Sequence, residues 1–170
     1  MKTIYLAGGC YWGVEKYMQN IPGVAETEVG FANGDTENPT YQQVRYENTG
    51  HAETVRVVYD EAVLPLAKLL RLFFRIIDPV SVDRQGEDIG HQYRTGVYHQ
   101  DEADAAVVRQ ELDRLETQIG QSLAVEACPL EQFYPAEEYH QKYLDKNPGG
   151  YCHVPWAAIH AVRDVRLEDV

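Results

Sequence analysis

The chain has few cysteines, no long apolar run and no basic cluster, and each shortage narrows what it can be. Three cysteines, Cys10, Cys128 and Cys152, stand in 170 residues. An odd number without a C-x-x-C spacing is not a secreted disulfide framework. Reduced thiols in a cytoplasmic protein are the expectation, with catalysis or redox chemistry open to them. No stretch approaches the ~18 consecutive apolar residues of a membrane span. The opening MKTIYLAGGC has the lysine, apolar run and small residues of a lipoprotein signal, but Ile4 to Ala7 falls far short of the ~7–15 residues such a signal needs. Basic charge is scarce: 15 Lys and Arg against 27 Asp and Glu give a net charge of −12. With no run of basic residues, neither nucleic acid nor an anionic membrane is an expected partner. The histidines are scattered, and His140, Cys152 and His153 match no zinc spacing. Internal repeats and low-complexity segments are absent.

What is present reads as one domain over residues 1–170, a length that supports a single core. Residues 2–7, KTIYLA, have strand character, and Gly8-Gly9 breaks it. A helix fits Trp12 to Gln19, closed by the Pro22-Gly23 turn, and Val24 to Phe31 fits a second strand. A long polar loop follows, with room for a helical turn, and a loop of that length in a compact domain is usually functional. In AETVRVVYD, residues 52–60, the alternation puts Glu53, Val55, Val57 and Tyr59 on one face. LPLAKLLRLFFRIID, residues 64–78, gives the clearest helix: Leu66, Leu69, Leu70, Phe73, Phe74 and Ile77 form one stripe that Asp78-Pro79 ends. A second polar loop leads to the short strand QYRTGVYH. Asp101 can cap a third helix whose inner face carries Ala105, Val108, Leu112, Leu115 and Ile119. SLAVEA fits a strand, and Pro135 suits the first turn of a helix to about Asp145. Residues 146–170 form a tail without a strong pattern. The first six regular elements follow the split β-α-β order, β-α-β-β-α-β. The expected fold is therefore α+β: a ferredoxin-like core, a mixed or antiparallel sheet covered by helices, and an irregular C-terminal tail.

Several residues invite chemistry, each beside a plainer explanation. Cys10 stands where a strand ends and a helix begins. Helix N-termini stabilise a thiolate, yet a buried structural cysteine beside a Gly-Gly turn reads equally from the bare pattern. Tyr11 and Trp12 are either core aromatics or the wall of an apolar pocket. Glu53, if its strand face is buried, is a desolvated carboxyl able to keep its proton near neutrality and act as a proton donor; at a frayed strand start it would be solvated. The loop DRQGEDIGHQYRTG concentrates Asp83, Arg84, Glu87, Asp88, His91 and Arg94, with Tyr93 following, as a site or as a solvated connection.

At GGCYWGVEKY the sequence resembles the class A methionine sulfoxide reductases, the peptide-methionine (S)-S-oxide reductases, whose Gly-Cys-Phe-Trp-Gly signature corresponds to Gly9-Cys10-Tyr11-Trp12-Gly13. NPTYQQV, TGHAETVRVVYD, RQGEDIGHQYRT and FYPAEEYHQKYLDKNPGGYC resemble further blocks of the family, in family order from residue 4 to about 153. The resemblance implies Cys10 as nucleophile and Glu53 as the acid that protonates the sulfoxide oxygen. It implies Tyr41 and Tyr93 as phenols that hold that oxygen, Asp88 as a member of the same polar network, and Tyr11 and Trp12 as the pocket for the substrate methyl group. It implies Cys152 as the recycling cysteine of the tail. The reaction it implies is thiol-dependent reduction of the S epimer of methionine sulfoxide, in oxidised proteins and in the free amino acid, a repair of oxidative damage. Cys10 would become a sulfenic acid, a second thiol would condense with it to a disulfide, and thioredoxin, or dithiothreitol in vitro, would reduce that disulfide. A cytoplasmic monomer without metal or organic cofactor is implied.

Three positions depart from the family pattern. Tyr11 replaces the usual Phe, and its hydroxyl needs a partner if buried. His91 stands where Thr is common. Cys128 lies outside the pattern and reads as a packed strand-end thiol, with a relay or alternative resolving role the other reading. Two rival classes remain defined. A hydrolase or acyl transferase would need Cys10 paired with an oriented base such as His51 or His140. A non-catalytic peptide-binding module would keep the aromatic pocket without needing Cys10, Glu53, Tyr41 and Tyr93 together.

Overall fold

A central strand with both faces covered organises the chain. In the computed structural model, which describes residues 1–170, β1 (Lys2–Gly8) turns Ile4 and Leu6 toward the helices and Tyr5 and Ala7 toward a smaller apolar cluster with Ala32, Ala52 and Tyr98. This alternation of apolar residues on both faces is what a sheet interior requires. After β1 come α1 (Tyr11–Gln19), β2 (Val24–Ala32), α2 (Tyr41–Tyr46), β3 (Ala52–Tyr59) and α3 (Leu66–Phe74). The second half contributes the two-residue strands β4 (Arg84–Gln85) and β5 (Asp88–Ile89), then β6 (Thr95–His99), α4 (Glu102–Ile119), β7 (Glu126–Pro129), β8 (Phe133–Pro135), α5 (Tyr143–Lys146) and α6 (Trp156–Ala161).

The main sheet runs β7-β6-β1-β3-β2-β8. Its inner four strands, β6-β1-β3-β2, are mutually antiparallel, which is the arrangement expected of a split β-α-β core. β7 joins β6 in parallel and β8 joins β2 antiparallel, so the whole sheet is mixed. The α3 stripe behaves as its spacing requires, with Leu66, Leu69, Leu70, Phe73 and Phe74 buried. Asp101 caps α4 through Ala103 N–H at 3.0 Å, and the Arg71 guanidinium ties α3 to α4 through both carboxylate oxygens of Glu111, at 2.8 and 3.0 Å. On α4 only the first part of the expected inner face is covered: Val108 is buried, while Ile119 is exposed at the last turn.

One expectation is filled in and several others are corrected: the strand expected at QYRTGVYH starts only at Thr95, after a 3₁₀ turn, and the tail expected to be irregular contains α6. The long loop after β2 contains α2, started by a capping box in which Thr40 Oγ1 accepts from Gln43 N–H and Gln43 Oε1 from Thr40 N–H, at 3.1 and 2.9 Å. The strand expected at SLAVEA begins only at Glu126. The helix expected from Pro135 to Asp145 does not form. A strand end, a 3₁₀ turn at Glu138–His140 and the four-residue α5 take its place.

Side-chain bonds to the core explain that break. Gln141 reaches across to β2, accepting from Val29 N–H at 2.9 Å and donating to Val29 O at 2.8 Å, as a neighbouring strand would. Lys142 then turns to φ 53°, where its N–H and ammonium both bond to buried Glu15 of α1, at 2.8 and 2.9 Å. A left-handed residue cannot continue an α-helix. In the tail, residues 147–155 are irregular, and α6 then brings Ile159 into the core beside Val154 and Val162.

Glu15 also accepts from Thr27 Oγ1 at 2.8 Å, so one carboxylate joins α1, β2 and the approach to the tail. Glu15→Ala strands the donors of Thr27 and Lys142 and is expected to cost about 2–4 kcal/mol in urea denaturation. Glu15→Gln, which keeps an acceptor, should cost clearly less; equal losses would show that packing rather than the bonds matters.

Candidate active site

Cys10 is the N-cap of α1, and the glycines before it are there for space. Gly9 has φ +88°, and a Cβ there would meet Gln85 at 2.7 Å; a Cβ on Gly8 would meet Phe73 at 2.9 Å. The close approach sets Cys10 between β1 and the β4–β5 turn, 7 % exposed. Its sulfur makes no cap bond of ordinary geometry with the first helical turn. The helix terminus was expected to lower the pKa of this thiol, and the structure reverses that. Burial, first, and the negative charge of Glu53 push Cys10 well up, and the nearby Trp12 N–H does not outweigh them. Desolvation exceeds the helix-end effect because the thiolate would sit away from water next to a carboxyl. Cys10 therefore rests as a thiol.

Glu53 lies on the inward face of β3, 1 % exposed, as the alternation with Val55, Val57 and Tyr59 requires. Its Oε1 accepts the Tyr11 N–H of α1 at 3.3 Å, and its Oε2 has no protein partner. Burial pushes its pKa up to about 8; the Tyr11 N–H and the Arg45 charge pull it down, and Asp88 adds to the rise. Near neutrality Glu53 keeps its proton.

Two phenols face the same space. Tyr41 opens α2, and Tyr93 ends the 3₁₀ turn His91–Tyr93, 5 % exposed. Burial raises both pKa values, so both are proton donors over the physiological range. Asp88 begins β5 and accepts from Tyr151 OH of the tail at 3.1 Å, and burial raises its pKa too.

The aromatic residues divide in a way the pattern did not foretell. Tyr11 is 1 % exposed, packed among Phe31, Tyr41 and His140, and its hydroxyl finds no protein partner. Trp12 is half-buried, stacked on Tyr143 at 3.7 Å, and its Nε1–H donates to His140 Nδ1 at 3.2 Å. His140 also lies 4.4 Å from the Tyr41 ring. Trp12, Tyr143, His140 and Tyr41 thus form a continuous aromatic wall. His140 belongs to it as a ring held by Trp12, with burial lowering its pKa. His51 is buried elsewhere, bonded to Thr36 O at 2.7 Å. Neither histidine is hydrogen-bonded to Cys10, so the Cys–His pair of a hydrolase is not formed.

Arg45 was overlooked. It lies four residues after Tyr41, one helical turn, and its Nη1 donates to Tyr93 OH at 3.3 Å. Together with Tyr46, Glu87, Asp88 and Tyr93 it lines a cavity of about 270 Å³. The spacing was visible, but the segment was read as loop, where i,i+4 carries no meaning. His91, at the departure from the family pattern, is exposed and faces Asp83 at 3.1 Å.

The tail brings Cys152 to α1. Its Sγ–H donates to Val154 O at 3.0 Å, and a Cβ on Gly13 would sit 2.9 Å from its sulfur. Gly13 lies in the first turn of α1, three residues after Cys10. Cys128 packs instead with Tyr5, Ala7 and Tyr98, with Asn33 Nδ2 3.7 Å from its sulfur. All three cysteines are free thiols.

A family model described as "Peptide methionine sulfoxide reductase" matches residues 2–167. The peptide methionine sulfoxide reductase MsrA of Lachnoclostridium phytofermentans is 55 % identical over 163 residues, covering 96 % of this chain and 98 % of that protein. Among solved structures, reduced Mxr1 from Saccharomyces cerevisiae superposes with a TM-score of 0.84 at 38 % identity, over 89 % of this chain and 88 % of that one. Mxr1 in complex with Trx2 gives a TM-score of 0.60 at 25 % identity, over 84 % of each chain.

A buried carboxyl with a raised pKa makes folding depend on pH. Between about 4.5, its ordinary value, and about 8, the folded chain holds a proton that the unfolded chain has lost. Stability from this group is full below that window and falls as pH rises through it. The melting temperature of Glu53→Gln, measured against wild type from about pH 5 to about pH 9, should gain on wild type as pH rises. Parallel curves would mean that the carboxyl ionises normally.

Proposed function

The chain belongs to the peptide methionine sulfoxide reductase family and is an enzyme that reduces methionine sulfoxide at the expense of thiols; from that premise we propose how its own residues carry the reaction. The observation that carries the reading is the neutral, buried Glu53 carboxyl bonded to the backbone of the residue after Cys10. A sulfoxide oxygen is a poor leaving group until protonated. Glu53 supplies that proton. Tyr41 and Tyr93 donate hydrogen bonds to the oxygen as charge shifts on it, and Arg45, donating to Tyr93, strengthens that phenol as a donor. Asp88 stands at the rim of the same network, and Trp12 with the buried Tyr11 behind it forms the apolar wall for the substrate methyl group.

Cys10 rests as a thiol, and its proton becomes easier to lose once positive charge gathers at the bound sulfoxide. Its sulfur takes the protonated oxygen: the S–O bond of the sulfoxide breaks, methionine departs with the electron pair, the Cys10 proton restores Glu53, and Cys10 is left as sulfenic acid. Cys152 condenses with it, releasing water and leaving a disulfide. We assign the S epimer as substrate and thioredoxin as reductant. The class A resemblance supports the first, and the solved complex of Mxr1 with Trx2 supports the second.

Racemic methionine sulfoxide, free or in a peptide, with dithiothreitol and epimer-resolved chromatography tests the reading. Only the S epimer should disappear; turnover of the R epimer, or none, overturns it. In a single turnover without reductant, methionine release should slow as pH rises through about 8, where Glu53 loses its proton. Glu53→Gln should lose that dependence and about 10²–10⁴ of the rate, the range for a general acid.

Recycling separates the two remaining thiols. Cys152→Ser should still reduce sulfoxide with dithiothreitol but fail to turn over steadily with thioredoxin, while Cys128→Ser should behave as wild type. The reverse pattern would transfer the recycling role to Cys128.

A further inference from the structure

The tail residue after Cys152 makes contacts that the sulfoxide chemistry leaves unused. The His153 side chain is 6 % exposed, though it belongs to an irregular segment. Its Nε2 lies 3.0 Å from Gly8 O, the last carbonyl of β1, two residues before Cys10. A carbonyl only accepts, so Nε2 carries the proton. Nδ1 is then the bare nitrogen: it is buried without a hydrogen-bond partner and faces Asp88 Oδ2 at 3.9 Å. Burial lowers the pKa of His153, which favours the neutral ring.

The missing side chain of Gly9 clears space for this ring. A Cβ on Gly9 would come 3.2 Å from His153 Nε2, and one on Gly86 would touch His153 Cβ at 3.7 Å. The ring therefore fills the gap between the end of β1 and the β4–β5 turn. Tyr151 fastens the other neighbour of Cys152 by its hydroxyl to Asp88, but from an exposed position, where water competes for the bond. His153 makes the buried attachment.

We infer that His153 is a positioning residue for recycling: its Nε2–H bond to Gly8 O holds the Cys152 segment against the strand end that carries Cys10, so that the second thiol meets the sulfenic acid. This rests on the reading of Cys10 and Cys152 given above. The step it serves is balanced. The Cys152 sulfur attacks the Cys10 sulfur, the Cys10 S–O bond breaks, and the hydroxyl leaves with the Cys152 proton as water. Cys152 is oxidised, and the sulfenic sulfur is reduced to the disulfide. Gly149 and Gly150 just before the segment give the backbone freedom to lose this alignment, which is why an anchor matters there. Cys152 needs only a local shift, since its sulfur already lies against Gly13.

The test uses the full chain, reduced and then mixed with S-methionine sulfoxide without reductant. Methionine release is followed by chromatography, the sulfenic acid by dimedone trapping, and the Cys10–Cys152 disulfide by mass spectrometry. His153→Phe keeps a ring but has no donor. It should release its stoichiometric burst of methionine at the wild-type rate, form the disulfide about tenfold more slowly, as expected for loss of one buried hydrogen bond, and accumulate trappable sulfenic acid. His153→Gln, whose amide N–H can reach Gly8 O, should restore disulfide formation. Wild-type disulfide formation in His153→Phe overturns the inference, and so does failure of Gln to rescue. Equal slowing of burst and disulfide also overturns it, because the role would then be general packing. Absence of a burst in the wild-type protein instead overturns the underlying reading of Cys10.

Discussion

The hydrogen bond from Tyr11 N–H to Glu53 Oε1 is the contact on which the site depends. It joins the first turn of α1 to the inward face of β3, and so brings Cys10 and Glu53 together where both are buried. Both groups prefer to be neutral there. An ionised Glu53 would raise the cost of a Cys10 thiolate, and the reverse holds as well. The resting site therefore holds two protons, one on Cys10 and one on Glu53. In the proposed reaction the sulfoxide oxygen needs a proton before the methionine sulfur gives it up, so burial, which suppresses the thiolate at rest, also keeps that proton on Glu53.

Most of the surrounding structure serves to keep that contact in place. Glu15 fixes the other end of α1 to β2 and to Lys142. The glycines at 8 and 9 let α3 and the β4–β5 turn close over the strand end. The aromatic wall of Trp12, His140, Tyr143 and Tyr41 excludes water without adding charge. Gly13 then lets the tail sulfur lie against the same helix that carries Cys10. Cys10, the Glu53 carboxyl and the Cys152 sulfur are thus all referred to α1.

How legible this was differed by element. The parity of β3 placed Glu53 inward from four residues, because strand alternation is fixed by backbone geometry. The α3 stripe and the Asp101 cap were equally plain, because both depend on neighbours in the chain. The helix expected from Pro135 failed because Gln141 and Lys142 bond to β2 and α1, partners more than a hundred residues away. Arg45 was missed because a helix of six residues inside a polar loop has no apolar stripe to announce it. The Cys10 thiol was expected to ionise from its helix position alone; its burial, and then the nearby charge of Glu53, both unknown from the chain, decided otherwise.

By itself the sequence determined the split β-α-β core, the family and most of the candidate residues for its chemistry, since these follow from local patterning and from motifs. The tertiary structure alone decided the protonation of Cys10 and Glu53, the retreat of Tyr11 into the core behind Trp12, the placing of Arg45 beside Tyr93 and of His140 beside Trp12, and the packing of Cys152 rather than Cys128 against α1. Those outcomes turn on desolvation and on contacts between segments far apart in the chain, and neither exists until the chain is folded.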